Sequence, residues 1–190
     1  MPTLTIPTAR TRLTILQADQ SALLDAYQID NLAHLAPWEP VRDAAYFTPE
    51  ATRERIETAQ KNFTQGLGFS FAVLTPDGSR MVAACNFNNL VRGAFQACYM
   101  GYSVAKACEG QGLMFEAVQA GIAYMFDTVG LHRIIGCCDA RNGPSAAVLR
   151  SLGMRQEAHL LQAEYLKGEW CDELIFAILE DEWRTGAAPR

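Results

Sequence analysis

The 190-residue sequence is poor in the residues that build metal and redox centres. It has three histidines and six cysteines, and no two cysteines form a C-x-x-C pair. A zinc site therefore has no framework here. Charged residues make up only 19%, and the net charge is −5, which offers little to a nucleic acid. No apolar run approaches the roughly 18 residues of a membrane helix. Residues 1–11 lack the apolar centre of a secretion signal. Together these absences predict a cytoplasmic protein without a metal, direct nucleic-acid contact or membrane contact. Its thiols are expected to be reduced and mostly buried as small hydrophobes. Repeats, low-complexity tracts and linkers are also missing. The expectation is one domain over residues 1–190, with 184–190 as a loose tail. A hydrophobic content of 49% is enough for a substantial core.

Two common phosphate loops are missing as well. A P-loop needs Gly-Lys-Ser/Thr, but Gly112 is followed by Leu113 and Met114. A dinucleotide turn needs a third glycine, and Phe115 occupies its place. What is present is a strand over 94–104 that feeds the turn Glu109-Gly110-Gln111-Gly112-Leu113-Met114. A helix over about 112–127 opens from that turn. The first N–H groups of a helix lack partners and carry partial positive charge. Glycine lets a backbone approach an anion closely. The turn thus reads as the phosphate site of a nucleotide-like cofactor. A plain tight turn is the competing reading.

Elsewhere, RTRLTIL at 10–16 alternates as a strand. A helix over 17–36 is broken by Pro37 and Pro40. Thr48 caps a second helix over about 48–65, with Pro49 at its first position. Strands follow at 69–75 and 81–87, joined by a Pro-Asp-Gly turn. After the central helix come a strand at 131–138, a short helix at 142–152, and strands at 156–166 and 170–179. Strand, helix, strand at this spacing implies a crossover between two parallel strands. The histidines His34, His132 and His159 show no functional spacing and read as structural.

The turn, Glu109-x-x-Gly112-x-Met114, resembles the acetyl-coenzyme A turn Q/R-x-x-G-x-G/A of the GNAT N-acetyltransferases. PWEPVRD at 37–43, NFNNLVRGAFQACYMGYS at 86–103 and GQGLMFEA at 110–117 are similar to RimJ-type ribosomal-protein-alanine N-acetyltransferases. QAEYLKGEWCD at 162–172 is similar to the hairpin of the sister RimL group, which acts on an N-terminal serine. The resemblance implies the α+β GNAT fold. That fold would have about seven strands in a mixed sheet, helices on both faces, and fourth and fifth strands that splay apart. It implies direct acetyl transfer from acetyl-coenzyme A to the N-terminal α-amine of a ribosomal protein, by a monomer or homodimer. Alanine would be the favoured terminus and serine a possible one. Other acceptors remain open, namely a small-molecule amine, and so does a non-catalytic coenzyme A-binding module.

By the same resemblance, the cofactor would lie on Ser103, Val104, Glu109, Gly110, Gln111, Gly112, Leu113 and Met114, with Asn142 and Ser145 beside its pantetheine arm. Backbone N–H groups near Tyr102 to Val104 would stabilise the developing oxyanion. Glu164 would be the general base and Ser145 the general acid, with Glu39 as rival base and Tyr102 and Tyr165 as rival acids. Trp38, Glu39, Arg42 and Tyr102 would line the acceptor groove. Glu109 departs from the pattern. A carboxylate beside a pyrophosphate requires its side chain to turn away.

Overall fold

The computed structural model describes residues 4–186. Two short strands come first, β1 (Thr5–Pro7) and β2 (Arg12–Thr14). Helices α1 (Ser21–Leu35) and α2 (Pro49–Gln65) follow. Strands β3 (Phe69–Leu74), β4 (Met81–Val91) and β5 (Ala97–Val104) lead to helix α3 (Leu113–Asp127). Then come β6 (Arg133–Asp139), helix α4 (Gly143–Ser151), β7 (Arg155–Leu166), β8 (Glu169–Leu179) and helix α5 (Glu180–Thr185). The strands form one sheet in the order β1-β2-β3-β4-β5-β6-β8-β7. All neighbours are antiparallel except β5 and β6, which are parallel on either side of the α3 crossover.

The sheet has one strand more than the sequence predicts. β1 is three residues long, too short to register as alternation, and is held back on β2 by Thr14 Oγ1 donating to Leu4 O at 2.8 Å. The strand expected from 94 begins at Ala97, because residues 93–96 form the turn after β4. α2 starts as expected: the Thr48 hydroxyl accepts from Ala51 N–H at 3.3 Å, and Pro49 takes the first position. The tail expected at 184–190 begins inside a helix. Arg184 and Thr185 belong to α5, and Arg184 pairs with Asp127 at 3.1 Å and Glu180 at 2.7 Å. Residues 187–190 lie outside the described residues.

α1 and α2 cover one face of the sheet over a small cluster of Leu16, Tyr27, Ile56, Leu74 and Met81. α3 and α4 cover the other face over the main core. α3 is apolar around most of its girth because it has several neighbours. Met114, Ala117, Val118, Ile122 and Met125 are buried in the main core. Trp183 of α5 closes over Phe126, with ring centroids 6.3 Å apart. All six cysteines are free, and burial pushes the Cys98 and Cys137 thiols up to about 12. No helix among the described residues is long and apolar enough to cross a membrane.

α3 packs closely on β4 at Gly121. A β-carbon there would stand 2.8 Å from Phe87 Cε2. Phe87 is fully buried and edge-packed on Phe71, so it has little room to yield. Alanine would gain about 1 kcal/mol of helix propensity over glycine. Overpacking would cost about 1–3 kcal/mol. Gly121→Ala should therefore lower the unfolding free energy by about 1 kcal/mol in urea titration. A more stable variant would show that the sheet yields at this point.

Candidate active site

The site forms where β5 and β6 part. Their pairing runs from Ala97↔Arg133 to Met100↔Gly136 and then stops. Each strand stays held on its other side, β5 by β4 as far as Val104 and β6 by β8 as far as Asp139. Ala105 N–H donates to Val82 O at 2.8 Å, on the β4 side. By strand alternation, Tyr102 and Val104 direct their N–H groups the other way, into the gap.

Beyond β5 the chain makes a short helical turn anchored by the buried Cys108 and then reaches Gly110 and Gly112. Both glycines have left-handed φ, at 69° and 73°. Gly112 is the N-cap of α3 and supplies no capping side chain, so the first N–H groups of α3 are open to a ligand. α1 fixes this stretch from behind. The Asn31 side chain accepts from Lys106 N–H at 2.8 Å, and the Tyr27 and Ser103 hydroxyls meet at 2.8 Å.

α4 supplies the opposite lip. Asn142 Oδ1 accepts from Ser145 N–H at 3.1 Å and so caps α4. Tyr102 Oη donates to Ser145 O at 2.9 Å and lies 3.1 Å from Ser145 Oγ. The phenol has one proton, so the Ser145 hydroxyl donates in the second contact. Burial raises the Tyr102 phenol well above its ordinary value, and it stays protonated.

These elements enclose a cleft of about 560 Å³. It brings together most of the residues singled out in the sequence: Trp38, Glu39, Tyr102, Ser103, Val104, Glu109, Gly110, Gly112, Leu113, Met114, Asn142 and Ser145. Gln111 belongs to the turn, but its side chain donates back to Ala107 O at 2.8 Å and does not line the cleft. Glu109 is tied down by Lys106 Nζ at 2.5 Å, which holds its carboxyl below the usual range. Its charge is thus partly cancelled beside the turn.

A second chamber of about 330 Å³ lies on the α1–α2 face of the sheet and shares Leu35, Glu39 and Ser103 with the cleft. Glu39 stands at this junction. Partial desolvation raises its carboxyl above the ordinary value, opposed by the charges of Arg42 and Lys167. Arg42 lines neither cavity and lies over the Tyr46 ring, 4.7 Å from its centroid. Glu164 lines neither cavity. It is exposed on β7 opposite Cys171, beyond a bulge between Leu160 and Glu164, and its charge adds to the burial that raises Glu173. Tyr165 is exposed against Trp170 on the same hairpin.

Three contributors escape sequence reasoning. Arg10 donates to Gln111 O at 2.8 Å and pairs with Glu116 at 2.8 Å, which brings a cation to the glycine turn. Glu116 also accepts from Thr8 Oγ1 at 2.5 Å and so straps the amino-terminal segment across the start of α3. His34 lines the cleft 3.5 Å from Glu109. None of the three carries a local signal, because each works through a partner far along the chain.

A protein-family model described as an acetyltransferase (GNAT) domain matches residues 12–155. The chain belongs to this family and is an acetyl-coenzyme A-dependent N-acetyltransferase. Its relatives narrow the comparison. It is 33% identical over 186 residues to the [ribosomal protein uS5]-alanine N-acetyltransferase of Escherichia coli (strain K12), covering 98% of this chain and 96% of that protein. The crystal structure of ribosomal-protein-S5-alanine acetyltransferase from Vibrio fischeri superposes with a TM-score of 0.90 at 30% identity, covering 95% of this chain and 98% of that one. Mycobacterium smegmatis RimJ in complex with CoA-disulfide gives 0.85 at 26% identity, covering 96% and 87%.

Replacing Gly112 tests the turn. At φ 73° an alanine costs about 1 kcal/mol. Gly112→Ala should lower urea stability by about that amount and weaken coenzyme A binding in calorimetry. Unaltered affinity would remove the turn from the anion site.

Proposed function

We propose that the protein transfers an acetyl group from acetyl-coenzyme A to the N-terminal α-amine of a ribosomal protein, favouring alanine and accepting serine. The observation that carries this reading is the junction of the two cavities at Ser103 and Glu39. A thioester lying in the strand gap would meet, at that junction, an amine arriving from the chamber on the other side. The likeness to the S5-alanine acetyltransferases supports the acceptor class, and a ribosomal acceptor is consistent with a cytoplasmic reaction.

The residues present fit the cosubstrate. The gap exposes N–H groups of β5 that have no strand to pair with. The open end of α3 offers further N–H groups to a pyrophosphate. The Ser103, Val104, Leu113 and Met114 walls suit a narrow pantetheine-like arm. Asn142 keeps its amide nitrogen free of any hydrogen bond among the described residues. Acetyl-coenzyme A, when bound, supplies an acyl group activated by its thiol ester.

The chain supplies the rest. An N-terminal amine has pKa about 8 and must lose a proton to attack. A carboxylate takes up that proton directly or through water. Of the two candidates, Glu39 lines both cavities whereas Glu164 lines neither, so Glu39 is assigned the base role. The raised carboxyl of Glu39 suits that role. Val104 N–H, directed into the gap, is placed to stabilise the carbonyl oxygen as it gains charge. Ser145 and Tyr102, bonded to each other at 3.1 Å, form the proton source for the departing thiolate.

The test is a thiol-release assay on peptides that differ only in their first residue, with one blocked peptide carrying a free lysine. Alanine and serine termini should turn over and the blocked peptide should not. Glu39→Gln should lower kcat about 10²-fold or more, and Glu164→Gln should change it little. The opposite ranking would return the base role to Glu164. Glu39 acts only when ionised, so the rate should fall as pH drops through its raised pKa. In Glu39→Gln that acid limb should vanish, leaving the limb of the amine near pH 8.

A further inference from the structure

The second chamber carries a charge arrangement that acetyl transfer alone does not require. Among its lining residues only two are charged, Glu39 and Arg55. Glu39 lies at the end shared with the cofactor cleft, and Arg55 lines the chamber alone. Every contact of Arg55 is to a neutral group. Its Nη1 donates to Tyr46 O, and its Nη2 donates to Gln28 Oε1 at 2.8 Å and Thr52 Oγ1 at 2.9 Å. Its guanidinium stacks over the Tyr46 ring, 3.9 Å from the centroid. Nε is shielded from solvent and has no hydrogen-bond partner among the described residues. No carboxylate among the described residues lies within ion-pair distance of it.

A guanidinium is permanently charged. Arg55 is half-buried, and hydrogen bonds to α1, α2 and the loop before α2 hold its guanidinium in the wall of a cavity with no counter-charge beside it among the described residues. Ser70 and Asn86, also in that wall, make no side-chain hydrogen bond among the described residues, which leaves polar groups free for a peptide backbone. The two charges have opposite sign, and only Glu39 also lines the cleft. Their complement is an ammonium or amine at the junction with the cleft and a carboxylate within the chamber.

We propose that Arg55 receives a carboxylate borne by the acceptor a few residues or less from its reacting amine. This deepens the functional reading above and rests on it. The carboxylate is an Asp or Glu side chain in the first residues of a polypeptide, or the terminal carboxylate of a free amino acid or dipeptide. The same charge pairing serves both sources. Arg55 is a specificity residue and not a catalytic one, because it does not line the cleft where the thioester would lie.

The experiment uses the whole protein and acetyl-coenzyme A. One arm takes alanine-terminated peptides, neutral except for a single Glu at the second, third or fourth position, each against its Gln counterpart. A second arm takes free alanine and an Ala-Ala dipeptide, each against its amide. At one position the Glu peptide should exceed its Gln partner about tenfold in kcat/KM, mostly through KM. Arg55→Met should bring the two to similar values, and Arg55→Lys should restore part of the ratio. Coenzyme A affinity serves as the check that each variant is folded, and the wild-type Glu-against-Gln ratio needs no variant at all. Equal rates at every position, with alanine peptides still acetylated, would overturn the Arg55 assignment and leave N-terminal acetylation standing. Turnover of the free-carboxylate dipeptide alone would support Arg55 as receptor and overturn the polypeptide acceptor. Silence in both arms would overturn both readings.

Discussion

The β5–β6 ladder ends after Met100 and Gly136, and almost everything else in the molecule either keeps that gap open or makes use of it. A gap in a sheet strands backbone N–H and C=O groups, which must find partners or water. It survives here because neither strand depends on the other. β4 holds β5 to its end, and β8 holds β6 to its end. The Tyr102–Ser145 contact ties the end of β5 to α4, which forms the opposite lip of the gap.

α1 links the two halves of the site. Tyr27 holds Ser103 at the cavity junction, and Asn31 holds Lys106 at the entry to the glycine turn. One helix thus sets both the wall shared by the two cavities and the entry to the glycine turn. A change in α1 would disturb both through one backbone, and kinetic effects there should be read with that in mind.

The parts of this architecture that were legible in the sequence have local causes. The Thr48-Pro49 start of α2 follows from capping chemistry at adjacent positions. The β5–turn–α3 unit follows from a strand pattern running into Gly110 and Gly112, and part of the resemblance to GNAT enzymes was carried by the same stretch. What escaped is non-local. Arg10 reaches Gln111 across a separation of 101 residues, and no window in the sequence holds both. The resemblance favoured Glu164 over Glu39 as base, and a linear pattern does not say which carboxylate lines a cavity. Only the folded chain sets them apart. β1 was missed for its brevity, and α5 because its single turn is secured by Glu182, whose carboxylate bonds Leu179 N–H at 2.8 Å and also meets Arg155.

The strand order β6-β8-β7 has a consequence for how the protein is made. The last strand to leave the ribosome, β8, is an interior strand and not an edge. Until it emerges, β6 has an open flank and β7 has no neighbour. The nascent chain therefore carries an unpaired interior edge from the completion of β6 until β8 emerges, the condition under which strands find wrong partners. A chain cut short before β8 would lose the strand that joins β7 to the rest of the sheet, and β7 with it.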